Sequence, residues 1–296
     1  MSPDPHNLTE RSVTSLAVGP GAGIQLSSTN KFHPNRIMWS GTHDGYGYDC
    51  IWYSDDGGKS YQLAKDATGK PAQLWGMSES ALAETPDGGV IISMRNEGYH
   101  RAYPATECLE DSDCEGSNNT CIANHQGRPA KTCKYEPQKV NCNCRGKARS
   151  TDGGTSFSRV EPDPALLGPV CQATMVSVAK GPSGAGRTIF HANPGHGTDS
   201  ESKSPPNGRA SGTVRRSVDG GRNWEASVDI NGHEGYSYSC LTEVPEPGFV
   251  GVAYETVLPG SSIRSIASAN NIVFTLVPQN FSNSSHTPTI AHDGKV

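Results

Sequence analysis

Short apolar runs separated by turn-forming residues occur almost throughout the chain. Asn35–Ser40, Cys50–Tyr53, Gly89–Met94, Thr188–His191, Phe249–Tyr254 and Asn271–Thr275 are rich in Ile, Val, Phe, Trp and Tyr. Clusters such as Pro86-Asp87-Gly88-Gly89 and Gly181-Pro182-Ser183-Gly184 bound them. Runs of this length, bounded this way, predict short, evenly spaced strands and an all-β fold. No long amphipathic helical pattern interrupts them, and no run of about 18 apolar residues exists that could span a membrane as a helix.

Three copies of one polar pattern punctuate the strands. Ser54-Asp55-Asp56-Gly57-Gly58-Lys59-Ser60-Tyr61, Ser150-Thr151-Asp152-Gly153-Gly154-Thr155-Ser156-Phe157 and Ser217-Val218-Asp219-Gly220-Gly221-Arg222-Asn223-Trp224 share the form S-x-D-G-G-x-S/N-aromatic. The glycines supply the positive φ of a tight turn. The Asp carboxylate is expected to accept bonds from backbone N–H groups of its own turn, and the aromatic to pack into the sheet. Each box is therefore a folding device; one box alone offers too few alternating oxygen donors for a calcium loop. A recurring turn of this kind implies a repeat architecture. The pattern resembles the Asp-box of β-propellers.

Spacing supports blades. Ser150 and Ser217 lie 67 residues apart, Ser54 and Ser150 96. The longer interval falls to about 55 when a roughly 40-residue insertion is removed, against roughly 40–50 residues for a typical blade. After that subtraction the 296 residues hold material for about five blades.

The insertion is compositionally distinct. Six of the nine cysteines fall at Cys108, Cys114, Cys121, Cys133, Cys142 and Cys144, among acidic and amide residues with few large apolar ones. Such a stretch cannot form a core alone and reads as disulfide-stapled, with fifteen pairings open. A zinc cluster is the rival reading, disfavoured by the lack of paired C-x-x-C units. Disulfides and the sequons at Asn7, Asn118, Asn280 and Asn283 point to a secretory, lysosomal or extracellular route. The N-terminal residues do not form a signal peptide. A net charge of −5 is too mild to argue for nucleic acid as a partner.

Between the boxes stands a set of residues with chemistry. Glu79 lies in Met77-Ser78-Glu79-Ser80-Ala81-Leu82, and Arg95 follows sixteen positions later at the end of a strand. Arg209 precedes the third box by eight residues, and Tyr238 lies in Tyr236-Ser237-Tyr238-Ser239-Cys240-Leu241, a Y-S-x-L pattern. With the segment Gly19-Pro20-Gly21-Ala22-Gly23-Ile24-Gln25 and the closing Val252-Ala253-Tyr254-Glu255, this order resembles the exo-α-sialidases from Gly19 to about Leu276.

The resemblance implies a six-bladed β-propeller lacking most of its first blade. It also implies a division into an unpatterned tail at 1–18 and a propeller domain at 19–296, with the Cys-rich insertion at 105–146. It implies Tyr238 as nucleophile, Glu79 as its base, and Arg95 and Arg209 as a clamp for the sialic acid carboxylate, with no cofactor or metal. The chemistry is coherent: guanidinium groups bind carboxylates bidentately. A neutral tyrosine escapes the repulsion that the substrate's own charge would exert on a carboxylate nucleophile. With a pKa near ~10 it needs an adjacent base, and sialidases are glycosidases with a Tyr nucleophile. Tyr236 is a rival for the same role, and His43 and Asp44 are candidates for a loop over the pocket. The G-P-G-x-G-I-Q segment is expected near the active site without a chemical role.

The implied partners are sialylated glycans of glycoproteins, gangliosides and oligosaccharides, with peripheral membrane association through gangliosides and lysosomal or extracellular action. The family's first clamp arginine, in an R-I-P motif, and its loop Asp, the general acid, find no counterpart here. A truncated chain of low activity is therefore expected, since a general acid contributes about 10²–10⁴ in rate. Two other readings stand beside the enzyme: a non-catalytic sialoglycan-binding propeller, and an unrelated Asp-box propeller for protein interaction.

Overall fold

The computed structural model describes residues 16–43, 48–66, 69, 71–72, 74–75, 77–96, 107–108, 120–123, 131–134, 144–179, 186–195, 209–231, 234–256 and 271–282. Every regular element among them is a strand. The first blade contains β1 (Leu16–Val18), β2 (Ile24–Gln25), β3 (Ile37–His43), β4 (Tyr48–Ser54), β5 (Gln62–Leu63) and β6 (Leu74–Trp75). The second begins with β7 (Met77–Glu84) and β8 (Val90–Asn96). A separate small sheet follows, of β9 (Glu107–Cys108), β10 (Thr120–Ala123) and β11 (Lys131–Lys134). Then β12 (Cys144–Ser150) and β13 (Glu161–Leu167) complete the second blade. The third is β14 (Thr174–Val178), β15 (Thr188–Pro194), β16 (Gly212–Ser217) and β17 (Ala226–Asp229). The fourth is β18 (Ser239–Glu243), β19 (Phe249–Thr256) and β20 (Asn271–Pro278).

All ladders are antiparallel, and the later blades run in simple meander order. Three apolar clusters fill the spaces between neighbouring blades. Leu26, Met38, Ile51, Leu82, Ile92 and Met94 join the first and second. Ala81, Ala83, Ile91, Met175 and Ile189 join the second and third. Phe190, Val214, Val228, Leu241, Val250 and Val252 join the third and fourth. Alternation explains this: residues i and i+2 of each strand share a face. Strands covered on both faces, such as β7 and β15, are buried along their whole length.

The described residues hold four blade sheets, a propeller arrangement, where box spacing led to about five. Blade three alone runs from Thr174 to Asp229, longer than the compact repeat of roughly 40–50 residues. The whole-blade tally of six and the disulfide pairing in the insertion lie outside the described residues. Among the described residues, Leu16–Val18 pairs with Gly41–His43, inside the stretch expected to be an unpatterned tail.

The three boxes occupy equivalent places, β4 to β5, β12 to β13 and β16 to β17, and repeat one bonding scheme. The second shows it: the Ser150 hydroxyl donates to Asp152 Oδ1 (2.7 Å) and accepts from Gly154 N–H (2.7 Å). Asp152 Oδ1 then takes the N–H of Thr155 (3.0 Å) and Ser156 (2.9 Å), and Oδ2 takes the Ser156 hydroxyl (2.6 Å). Asp56 and Asp219 do the same in their turns. Both glycines of every box have positive φ. The aromatic expectation holds only in part. Phe157 is buried and Trp224 half-buried, whereas Tyr61 is exposed and meets Trp39 edge-on at 5.8 Å. Arginines knit box to neighbouring blade. Arg36 grips Asp55 bidentately (2.7 and 2.6 Å) and donates to Gly153 C=O (3.0 Å), and Arg149 donates to Gly220 C=O.

Candidate active site

The first strands of the last three blades lie next to one another, β14 packing against both β7 and β18. Glu79 stands in β7, and Tyr238 stands immediately before β18. The pairing of β7 with β8 shifts register between Ser78 and Ala81, so Glu79 lies in a bulge, at φ +39°. Bulges re-aim side chains. Here the register pairs Ser78 with Arg95, which sets Arg95 alongside the bulge.

The three side chains meet. The Tyr238 hydroxyl donates to Glu79 Oε1 in a short hydrogen bond. Arg95 Nη1 donates to Glu79 Oε2 (2.5 Å) and to the Tyr238 oxygen (3.1 Å). Glu79 has only 3% of its side chain exposed and Arg95 15%, which excludes an ordinary solvated surface pair. Arg209 takes a wider position: its Cζ is 5.8 Å from the Tyr238 ring centroid, and Nη2 donates to Val170 C=O (3.0 Å). Glu79, Arg95 and Arg209 thus gather around the Tyr238 phenol, which precedes the first strand of the fourth blade.

Backbone bonds hold that phenol in place. Ser237 N–H donates to Glu255 C=O (3.0 Å), and Glu255 N–H donates to Tyr238 C=O (2.9 Å). Tyr236, the rival, is fully buried and stacks on Tyr254 at 4.8 Å between ring centroids. Neighbouring residues on an extended segment point to opposite sides, and those two apart to the same side; the irregular stretch before β18 separates the two tyrosines. His43 ends β3, but its side chain and Asp44 lie outside the described residues. Gly21, of the G-P-G-x-G-I-Q segment, lies against the Ser80 carbonyl beside the bulge, where a Cβ would approach to 3.4 Å.

Burial pushes the Tyr238 phenol above its ordinary pKa. The adjoining Glu79 carboxylate pushes the same way, and Arg95 opposes both. The phenol therefore rests protonated, and its proton already points at the base. Burial likewise raises the Cys171 thiol, against the pull of Arg209 and Arg95.

Several residues of this region gave no signal in the sequence. Arg145, 4% exposed, spreads its guanidinium under the bulge: Nε donates to Ser93 Oγ (2.8 Å), Nη1 to Cys171 C=O (2.8 Å) and Nη2 to Glu79 C=O (3.3 Å). Burial lowers its pKa to about 10. Gln172 is buried and exchanges two bonds of 2.9 Å with the backbone of Ser239. Asp49 is fully buried at the first blade's face, and burial pushes it up to about 7, with Ser80 and Arg145 pulling the other way. An arginine before a box and a Gln between strands are unremarkable in sequence; only their tertiary partners give them meaning. Among the described residues, no group of three or more His, Cys, Asp and Glu could hold a metal ion. No described helix is long and apolar enough to cross a membrane.

Fold and site together define a β-propeller with a buried cluster of tyrosine, carboxylate and arginine. No protein-family model matches the chain. A sialidase of Bacteroides fragilis is 24% identical over 270 residues, covering 88% of this chain. A sialidase of Micromonospora viridifaciens is 32% identical over 145 residues, covering 45% of it. The chain spans 38% and 20% of the length of these two relatives. Among solved structures, the intramolecular trans-sialidase of Ruminococcus gnavus, in complex with oseltamivir carboxylate, superposes with a TM-score of 0.54. It is 19% identical, over 82% of this chain and 40% of that one, a likeness of fold. The chain is thus similar in sequence to two sialidases and in fold to a solved one.

Proposed function

We propose that the site releases terminal sialic acid from glycans, as an exo-α-sialidase acting with retention at the anomeric carbon. The observation that carries this reading is the hydrogen bond from the Tyr238 hydroxyl to buried Glu79, with Arg95 bridging the two. A tyrosine whose proton is already directed at a buried carboxylate is an activated nucleophile in waiting. Tyr238 oxygen attacks the anomeric carbon as Glu79 takes the phenolic proton, and the aglycone departs with the bonding pair. Water then attacks the same carbon of the glycosyl-tyrosine, the bond to Tyr238 breaks, Glu79 returns its proton to the phenolate, and the proton that the water loses passes through solvent to the oxyanion of the departed aglycone. Two displacements give net retention. Arg95 in the second blade and Arg209 in the connection between β15 and β16 of the third would bind the substrate carboxylate. Natural substrates on this reading are sialylated glycoproteins, gangliosides and oligosaccharides met along a secretory or lysosomal route.

An aryl α-sialoside tests the proposal best, because a phenolate leaving group needs little help from a general acid. Release of sialic acid first as the α-anomer, followed by NMR, and loss of turnover by at least about 10³-fold in Tyr238→Phe are expected. Unchanged turnover in that variant would remove Tyr238 from its role. Binding of sialyllactose with no release of aryl aglycone would favour the non-catalytic glycan-binding propeller instead.

A further inference from the structure

Non-glycine residues at positive φ cost about 1–3 kcal/mol and persist only where the surroundings over-determine them. Glu79, at φ +39° in a bulge, needs such a holder. Its carbonyl accepts from Arg145 Nη2, of a buried guanidinium whose bonds to described residues go to hydroxyl and carbonyl oxygens. Arg145 lies in β12 at a register shift between Cys144 and Arg145. Its acceptors come from three segments: the Glu79 carbonyl of β7, the hydroxyl and carbonyl of Ser93 in β8, and the Cys171 carbonyl ahead of β14. The Ser93 hydroxyl continues to His191 Nε2 at 3.1 Å. Gln172, next in sequence to Cys171, grips the backbone of Ser239, which adjoins Tyr238. One guanidinium thus ties the backbone of the carboxylate to the segment that registers the backbone of the phenol. Burying such a group is costly unless all its donors are used.

We propose that Arg145 is a positioning residue, holding the left-handed backbone at Glu79 so that its carboxylate meets the Tyr238 hydroxyl across the second, third and fourth blades. The proposal rests on the reading of Tyr238 and Glu79 as nucleophile and base, but its test does not require turnover. Lys in place of Arg keeps the charge and loses the planar fork. In Arg145→Lys the bulge relaxes, the carboxylate moves off the phenol, and Tyr238 ionises at lower pH.

The experiment is ultraviolet-difference titration of the full chain, with Tyr238→Phe made in each background to isolate the Tyr238 signal. Arg145→Lys is expected to ionise Tyr238 at least about one pH unit earlier than wild type. Ser93→Ala, which removes the hydroxyl acceptor and leaves the carbonyls, shifts it less and in the same direction. Arg149→Lys is the control: the same strand and the same substitution, but its bond goes to Gly220 of the third box. A folded Arg145→Lys with wild-type Tyr238 ionisation, or an equal shift in Arg149→Lys, overturns the proposal. Should Arg145→Lys not fold, Ser93→Ala decides by the same criterion. With aryl sialoside, Arg145→Lys is expected to lose about 10²-fold in kcat with KM within about twofold, the signature of misplacement. A titration shift without any wild-type turnover would retain the positioning role and sink the sialidase reading alone.

Discussion

Asp49→Asn is expected to stabilise the protein in a strongly pH-dependent way. Asp49 is fully buried, and burial raises it from 3.8 to about 7. Below pH 4 the carboxyl is protonated folded and unfolded, so ionisation adds nothing to the difference. Between pH 4 and 7 the folded protein keeps a proton that the unfolded chain gives up. Stability therefore falls as pH rises through this window, at about 1.36 kcal/mol per pH unit for the one group. Above pH 7 both states are ionised and the full cost of about 4 kcal/mol is present. Asparagine carries no such cost. The difference between variant and wild type should thus be small near pH 4.5, intermediate at pH 6 and about 4 kcal/mol in favour of the variant at pH 8. Urea unfolding at the three pH values measures it, provided the m-values agree. Contributions from other titrating groups cancel in the difference. Parallel stability-versus-pH curves for the two proteins would show that Asp49 is not a cryptic acid and that the reasoning from burial fails.

Three further outcomes follow from the geometry. Asp152→Ala should cost about 2 kcal/mol, because four donors lose a charged acceptor; the loss is fully expressed at pH 7 and fades below pH 4. That sign follows because the turn's donors hold Asp152 below its usual pKa, so its stabilisation is lost as pH falls. A pH-independent loss would contradict it. Gly212→Ala should destabilise by about 1–3 kcal/mol, since its Cβ would stand 2.1 Å from the Tyr236 ring; equal denaturation midpoints would show that the ring yields freely. Glu79→Gln should lower kcat for aryl sialosides by about 10²–10⁴ while keeping KM near wild type, and an unaltered kcat would assign the base elsewhere.

The boxes were legible because their bonds are local. Ser150 reaches Gly154 and Asp152 reaches Ser156, four residues on, so a short pattern carries its own geometry. The burial of the final aromatic was less legible: Phe157 is inside and Tyr61 outside, because that depends on the neighbouring surface. Blade length was less legible too: the third blade, from Thr174 to Asp229, exceeds the compact repeat because its connections are long, which spacing alone does not reveal.

Chain order and residue type determined the strands, the repeated turns and the list of reactive side chains, since strand periodicity, glycine φ and the chemistry of arginine, carboxylate and phenol are properties of short segments. Their meeting was decided by tertiary structure alone. Tyr238 and Glu79 are 159 residues apart and touch only because three sheets pack side by side through small residues such as Ala81 and Ala83. The same packing separates Tyr236, stacked in the core, from Tyr238 at the centre. It also turns Arg145, an inconspicuous residue at a strand end, into the support beneath a left-handed glutamate. Register, burial and strain are set by contacts distant in sequence, and for that reason they were not written in any local pattern.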